Sequence, residues 1–393
     1  MRRVILWAVT FVIALIAASQ RVKGADSPAV EARAAILVDF ETGRVLWAKN
    51  ADEPLAMAST TKIMTGILTL EHGNLSDTVT VSKRAAGAPK VKMNLSEGER
   101  ISLETLLYAL MLQSSNDAAV AVAEHIGGSV EGFCAMMTEK AKELGAKDTV
   151  FETPNGLDAG NHHSTAADLA LIARYALSDP RFVDLINTPS YSGDSDRRHY
   201  DITNKNRFLH EFAGANGVKT GFTGKAGHCF VGSAERDGLW LVSVVLASGW
   251  GDRGKAQKWV DTKRVMNYGF DNYHIETIIN DGDEAGSVRV ERSKTPEITG
   301  VFRDTLRLPM REDEMSGVTL DTRLPEILRA PINPGDKLGI CAVYIGGEKY
   351  TEMDVLAASG AERHDLKTSM EKVMGHIFEL LTNKDVEVTL PEF

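Results

Sequence analysis

Ser59-Thr60-Thr61-Lys62-Ile63-Met64-Thr65-Gly66-Ile67-Leu68-Thr69-Leu70-Glu71-His72-Gly73-Asn74-Leu75 is apolar on nearly all sides, lacks proline and ends on a Gly-Asn stop. A helix with apolar side chains all round belongs inside a domain, so this stretch predicts a central helix over 59–75. A lysine there needs a chemical reason. The i, i+3 spacing sets the Ser59 hydroxyl and the Lys62 amine on one face, within reach of each other. A serine hydroxyl is a weak nucleophile alone, whereas a desolvated lysine is partly neutral and can take its proton. The free N–H groups at a helix start favour a developing oxyanion. Taken alone, the Ser-x-x-Lys pattern is equally a capped helix with a lysine reaching to solvent.

Upstream, 34–39 (AAILVD) and 44–48 (RVLWA) are apolar runs parted by Phe40-Glu41-Thr42-Gly43, a hairpin with glycine at its turn. Downstream, helices are expected over 103–112 behind a Ser102 cap, 117–125 behind Asn116, 130–144 behind Ser129, and 165–177 with a capping-box-like start, ending before Asp179-Pro180. Strands follow at 218–220, 228–235 and 239–248, then a helix at 261–268. Strands flanking a helical block predict an α/β (α+β) unit, a mixed sheet covered by helices. From about 274 the pattern changes to short strands at 274–279, 287–290, 304–308, 317–320 and 337–345, the spacing of a small all-β module. Over 365–381, Leu366, Met370, Val373, Met374, Ile377, Phe378 and Leu381 recur as the stripe of an amphipathic helix. The expected division is a leader at 1–24, a catalytic unit at 25–273, a β-rich domain at 274–364, and an amphipathic helix and tail at 365–393.

The 393 residues are 43% hydrophobic, enough for roughly two domains and not for a disordered chain. A formal charge of -10 argues against nucleic acid as the main partner, because that binding draws on clustered Lys and Arg. Arg2 and Arg3 followed by an apolar run over 4–18, broken only by Thr10, read as an export signal. That run would span about 22 Å as a helix, short of a ~30 Å hydrocarbon core, so cleavage is expected, after Gly24 or at Ala18. Cys134, Cys229 and Cys341 lie about 100 residues apart in apolar surroundings, a spacing that makes no zinc site and no disulfide framework. No metal or cofactor is implied.

Two further motifs follow. Ser114-Ser115-Asn116 lies between helical segments, where a loop can project a hydroxyl and a carboxamide into a cleft. Lys219-Thr220-Gly221 lies in a strand where glycine would let a substrate backbone approach. Singly, each has an ordinary structural explanation. Ser-x-x-Lys, then Ser-x-Asn 52 residues after Lys62, then Lys-Thr-Gly 103 residues after Asn116, is the ordered set of the active-site serine penicillin-recognising enzymes.

With those motifs the chain resembles the low-molecular-weight penicillin-binding proteins of the D-alanyl-D-alanine carboxypeptidase family, whose catalytic domain is β-lactamase/transpeptidase-like. The resemblance runs through MASTTKIMTG, LMLQSSNDAAVAVAEHIGG, FETPNGLDAGNHHSTAADLALIARYAL and NGVKTGFTGKAGHCFVGSAERDGLWLVSVVL. It continues into LRAPINPGDKLGICAVYIGGE. It implies Ser59 as acylated nucleophile, Lys62 as proton acceptor, Ser114 as proton relay and Asn116 as substrate-amide contact. Lys219 and Thr220 would position the substrate's terminal carboxylate, Gly221 would permit close approach, and the N–H groups of Ser59 and Phe222 would form the oxyanion hole. The implied partners are peptidoglycan stem peptides, β-lactam antibiotics as inhibitors, and a membrane surface under the C-terminal helix, with an extracytoplasmic location. Two departures stand out: Met57 where the family commonly has proline, and Lys258 where it usually has arginine, with Arg253 as the alternative carboxylate ligand. A D,D-endopeptidase and a catalytically idle wall-binding scaffold are the competing readings. The β module disfavours the first and the intact polar set the second.

Overall fold

The computed structural model describes residues 27–364 and 366–382, so the expected leader at 1–24 and the tail beyond 382 lie outside the described residues. The strand Ala34–Asp39 pairs with Val45–Lys49 on one side and Leu239–Leu246 on the other. Gly227–Arg236 and Ala215–Thr223 complete a five-stranded sheet. Ala34, Ile36 and Val38 face one core, with Val242, Val244 and Leu246, whereas Ala35 and Leu37 face another, with Phe230, Leu241 and Val245. Burial on both faces explains why AAILVD is an unbroken apolar run. The sheet is antiparallel at every pairing, where a mixed sheet was expected, because tight turns join its last three strands and the first hairpin pairs back onto them.

On one face lies the predicted central helix. It runs over Lys62–His72 with every residue from Lys62 to Leu70 buried, and a 3-10 turn, Ala58–Thr61, precedes it. Ser59 therefore sits on that turn and not on the helix. Ser102 and Ser129 cap their helices as expected, accepting the N–H of Thr105 and Gly132. The first of these, Leu103–Tyr108, widens into a π-helical turn, Ala109–Gln113, that ends on Ser114. Asn116 is not a cap: Ser115 takes that place, and Asn116 opens the helix Asn116–Gly127. Pro180, read as a stop, instead starts the helix Pro180–Asn187 behind an Asp179 cap, the position where a missing N–H costs nothing.

The opposite face carries Gly251–Asn272, longer than expected; at its start Gly249 and Gly254 pack so closely that a Cβ on Gly254 would meet the Gly249 carbonyl carbon at 2.2 Å. Beyond it, His274–Ile279 pairs with Leu306–Met310. A six-stranded sheet follows, in the order Val318–Arg323, Lys337–Ile345, Glu348–Ala357, Glu297–Val301, Glu284–Glu291, Ile327–Arg329. Glu348–Ala357 escaped the sequence reading because its first residues are charged and half exposed. The terminal helix Leu366–Thr382 leaves Met370, Met374, Ile377 and Phe378 exposed at 59%, 63%, 44% and 68%. No helix among the described residues is long and apolar enough to cross a membrane. The three cysteines are free and buried.

Arg44 links the first hairpin to the β module. Its guanidinium donates to the Pro309 carbonyl and to Glu314 Oε1 (2.8 Å), and both it and Arg311 lie within 6 Å of the Tyr273 ring. The Arg44–Glu314 pair is only 11% and 20% exposed. Replacing Arg44 with Ala removes the donor to the Pro309 carbonyl and leaves Glu314 with Arg311 alone, so chemical denaturation should show a loss of about 2 kcal/mol.

Candidate active site

The turn before the central helix is held by a residue in an unusual conformation, Ala58 at φ 50°. Around it the chain folds back closely. A Cβ on Gly156, itself at φ 82°, would meet the Ala58 carbonyl oxygen at 1.9 Å, and one on Gly221 would meet the Ser59 nitrogen at 3.0 Å and the Met57 carbonyl oxygen at 3.1 Å. Only glycine fits at 156, and at 221 a side chain would push the Ser59 turn back by a few tenths of an ångström. The missing side chain of Gly221 admits the Ser59 turn.

Lys62 is fully buried. Its Nζ donates to Ser59 Oγ at 3.0 Å, Asn116 Oδ1 at 2.8 Å and the Asn155 carbonyl at 2.6 Å, all neutral oxygens. Burial, reinforced by the charge of Lys219, holds its pKa well below the ordinary lysine value, while Asp117 pulls weakly the other way. A buried amine with a lowered pKa in hydrogen-bond contact with a serine hydroxyl is a base next to a nucleophile. The Asn155 carbonyl also accepts from Ser59 Oγ at 3.3 Å. Sequence reading had no means to find it, because a backbone carbonyl has no residue-type signature; the Asn155-Gly156 turn signal was its only trace.

Asn116 is oriented from behind. Both donor contacts of its Nδ2 go to carbonyls of a surface loop, Pro89 and Lys90 at 3.1 Å each, and its N–H goes to Val91 at 2.8 Å, which leaves Oδ1 facing Lys62. The same loop is pinned by the buried Asp117 carboxylate, which accepts from the N–H of Met93 and of Leu95. Ser114 is half-buried at φ 67°, at the end of the π-helical turn beside this group.

The third motif lies on the edge strand. Lys219 is buried, its Nζ donates to the Thr220 carbonyl at 3.1 Å, and burial together with the charge of Lys258 lowers its pKa to about 7. Lys258 is itself buried on the helix Gly251–Asn272, over the Trp259 ring at 4.8 Å, with its pKa lowered to about 8, mainly by burial. The structure thus brings Lys258 into the electrostatic range of Lys219. Arg253 goes elsewhere: its guanidinium is 80% exposed and bonds both Glu31 oxygens at 2.9 Å. Phe222 leaves its ring 49% exposed, stacked on His228 at 4.3 Å. Among the described residues no group of three or more His, Cys, Asp or Glu is placed to hold a metal ion.

Comparison with known proteins agrees over most of the length. The sequence profile of the D-alanyl-D-alanine carboxypeptidase family (Peptidase_S11) matches residues 21–249, and that of the penicillin-binding protein 5 C-terminal domain matches residues 273–363. The chain is 31% identical to D-alanyl-D-alanine carboxypeptidase DacF of Bacillus subtilis, over 91% of this chain and 93% of that one. It is 33% identical to DacC of Escherichia coli, over 76% and 82% respectively. Penicillin-binding protein 5 from Haemophilus influenzae superposes with a TM-score of 0.73 at 27% identity, covering 86% of this chain and 100% of that one. With a family profile matching more than half of its residues and a relative 31% identical over 91% of its length, this chain belongs to the D-alanyl-D-alanine carboxypeptidase family of serine hydrolases.

Proposed function

We propose that the enzyme removes the terminal D-alanine from peptidoglycan stem pentapeptides through an acyl-enzyme on Ser59, and that penicillins acylate the same hydroxyl. The observation that carries this reading is the 3.0 Å contact between Ser59 Oγ and the buried Lys62 Nζ. Neutral Lys62 takes the Ser59 proton as Oγ attacks the penultimate carbonyl. The N–H groups of Ser59 and Phe222 receive the oxyanion, the C–N bond breaks, and the proton returns to the departing D-alanine amine, with Ser114 as relay. Water then hydrolyses the ester. Asn116 holds Lys62 in place, and Lys219, Thr220 and Lys258 hold the substrate's terminal carboxylate. The catalytic unit ends at 273, where the β-rich unit begins.

Labelling with a fluorescent penicillin and intact-mass mapping should place one adduct on Ser59. Ser59→Ala should abolish the adduct and D-alanine release while leaving the thermal midpoint within a few degrees, since about 1 kcal/mol or less is at stake. Lys62→Arg, which keeps the charge but supplies no neutral base, should lose at least about 100-fold in acylation. A Ser59→Ala protein that still forms the adduct would overturn the assignment.

Carboxylate recognition by lysines predicts a particular pH profile. kcat/KM rises with pH as Lys62 loses its proton. It falls again as Lys219 and Lys258, lowered to about 7 and about 8, lose theirs. A peptide amidated at its C-terminus should turn over poorly and lack the alkaline limb; identical profiles for acid and amide would remove the lysines from this role.

The location follows from the chemistry and the exposed stripe: an extracytoplasmic enzyme whose terminal helix rests on the outer face of the cytoplasmic membrane. Met370, Met374, Ile377 and Phe378 support weak, reversible attachment, since the mixed charge on the polar side adds little. Truncation after Arg363 should shift the protein from membrane to soluble fractions with penicillin labelling unchanged; a truncation that unfolds the β module would instead mark the helix as a packing element.

A further inference from the structure

Thr61 occupies the N-cap position of the central helix, yet its hydroxyl caps nothing. A threonine at an N-cap of extended backbone accepts a helix N–H, but Thr61 is already helical (φ -44°, ψ -37°) and closes the 3-10 turn. This one points backward and donates its single proton to the Ala58 carbonyl at 2.8 Å. Its oxygen also meets His162 Nε2 at 2.9 Å, and because the hydroxyl proton is already committed, the imidazole must be the donor. His162 Nδ1 in turn accepts the Glu152 N–H at 3.0 Å. The partners fix one neutral tautomer, with the proton on Nε2. Both side chains are buried, Thr61 wholly and His162 at 3% exposure, and desolvation lowers the imidazole pKa to about 4, so the arrangement persists at neutral pH.

The chain of bonds ends on the carbonyl of Ala58, whose left-handed backbone at φ 50° immediately precedes Ser59. A side-chain-bearing residue holds that conformation only where its surroundings over-determine it. Gly156 presses on the same carbonyl from the other side. Resting on the assignment of Ser59 as nucleophile, we propose that Thr61 and His162 are positioning residues: the relay Glu152 N–H to His162 to Thr61 to the Ala58 carbonyl locks the turn that aims Ser59 Oγ and its N–H at the reacting carbonyl. Neither residue touches substrate. Their contribution lies in geometry, where a displacement of about 1 Å costs about 100-fold.

The test uses the full-length mature protein and a penicillin of known acylation rate. Thr61→Val is nearly isosteric and removes only the hydroxyl; it should acylate about 10- to 100-fold more slowly, with reversible affinity for the antibiotic little changed. Thr61→Ser should recover most of the rate. His162→Gln, whose amide can still donate to Thr61, should retain more rate than His162→Leu. If Thr61→Val acylates like wild type, or if Thr61→Ser is as slow as Thr61→Val, the hydroxyl does not set the turn and the proposal is wrong. Should wild type carry its adduct somewhere other than Ser59, the nucleophile assignment falls and this proposal falls with it; a normal Ser59 adduct with no Thr61 effect sinks the proposal alone.

Discussion

Everything at the candidate site depends on one buried amine. Lys62 stands where the central helix meets its leading turn, with no carboxylate in contact and three neutral oxygens around its Nζ. Burying a charged ammonium this way is unfavourable, and the fold relieves the cost by lowering the pKa and not by supplying a counter-ion. Asp117 is close enough to act on Lys62, but its carboxylate is engaged by loop N–H groups and offers only a weak opposing field. The helix is deep in the domain because apolar side chains surround it on every side. The stability of the core and the basicity of the site are therefore the same structural fact.

Around that amine, three segments distant in sequence converge through close backbone approaches and hydrogen bonds. Gly156 and Gly221 bring the 153–157 turn and the edge strand against the residues flanking Ser59. The surface loop at 89–95 fixes the orientation of Asn116 by taking both of its donor contacts, so that its oxygen is the atom left for Lys62. The result is a site built as much from carbonyls and N–H groups as from side chains, which suits a reaction whose developing charge is an oxyanion.

The second cationic feature, Lys219 with Lys258, follows from the same logic of burial. Two ammonium groups lie within each other's field, and each is made less basic by desolvation. A guanidinium in place of Lys258 would stay charged at any working pH and could bind a carboxylate through two parallel bonds. A lysine gives a point charge whose presence depends on pH near neutrality. Arg253, the alternative cation, is held at the surface by Glu31.

What the sequence determined by itself rests on neighbours along the chain. The i, i+3 relation of Ser59 and Lys62 survives even though Ser59 lies on a 3-10 turn, because positions three apart share a face in an α-helix and eclipse in a 3-10 turn. The apolar run of 34–39 announced a strand, and the Ser102 and Ser129 caps were legible for the same local reason. Tertiary structure alone decided the rest. The protonation tendency of Lys62, Lys219 and Lys258 is set by desolvation from segments far away in sequence. The Asn155 carbonyl carries no side-chain signature, the choice of Ser115 over Asn116 as cap follows from Asn116 being drawn inward to Lys62, and the tight fit at Gly221 comes from the turn folded against it. Spacing brings a hydroxyl and an amine together; only burial and long-range hydrogen bonding decide which of them holds the proton.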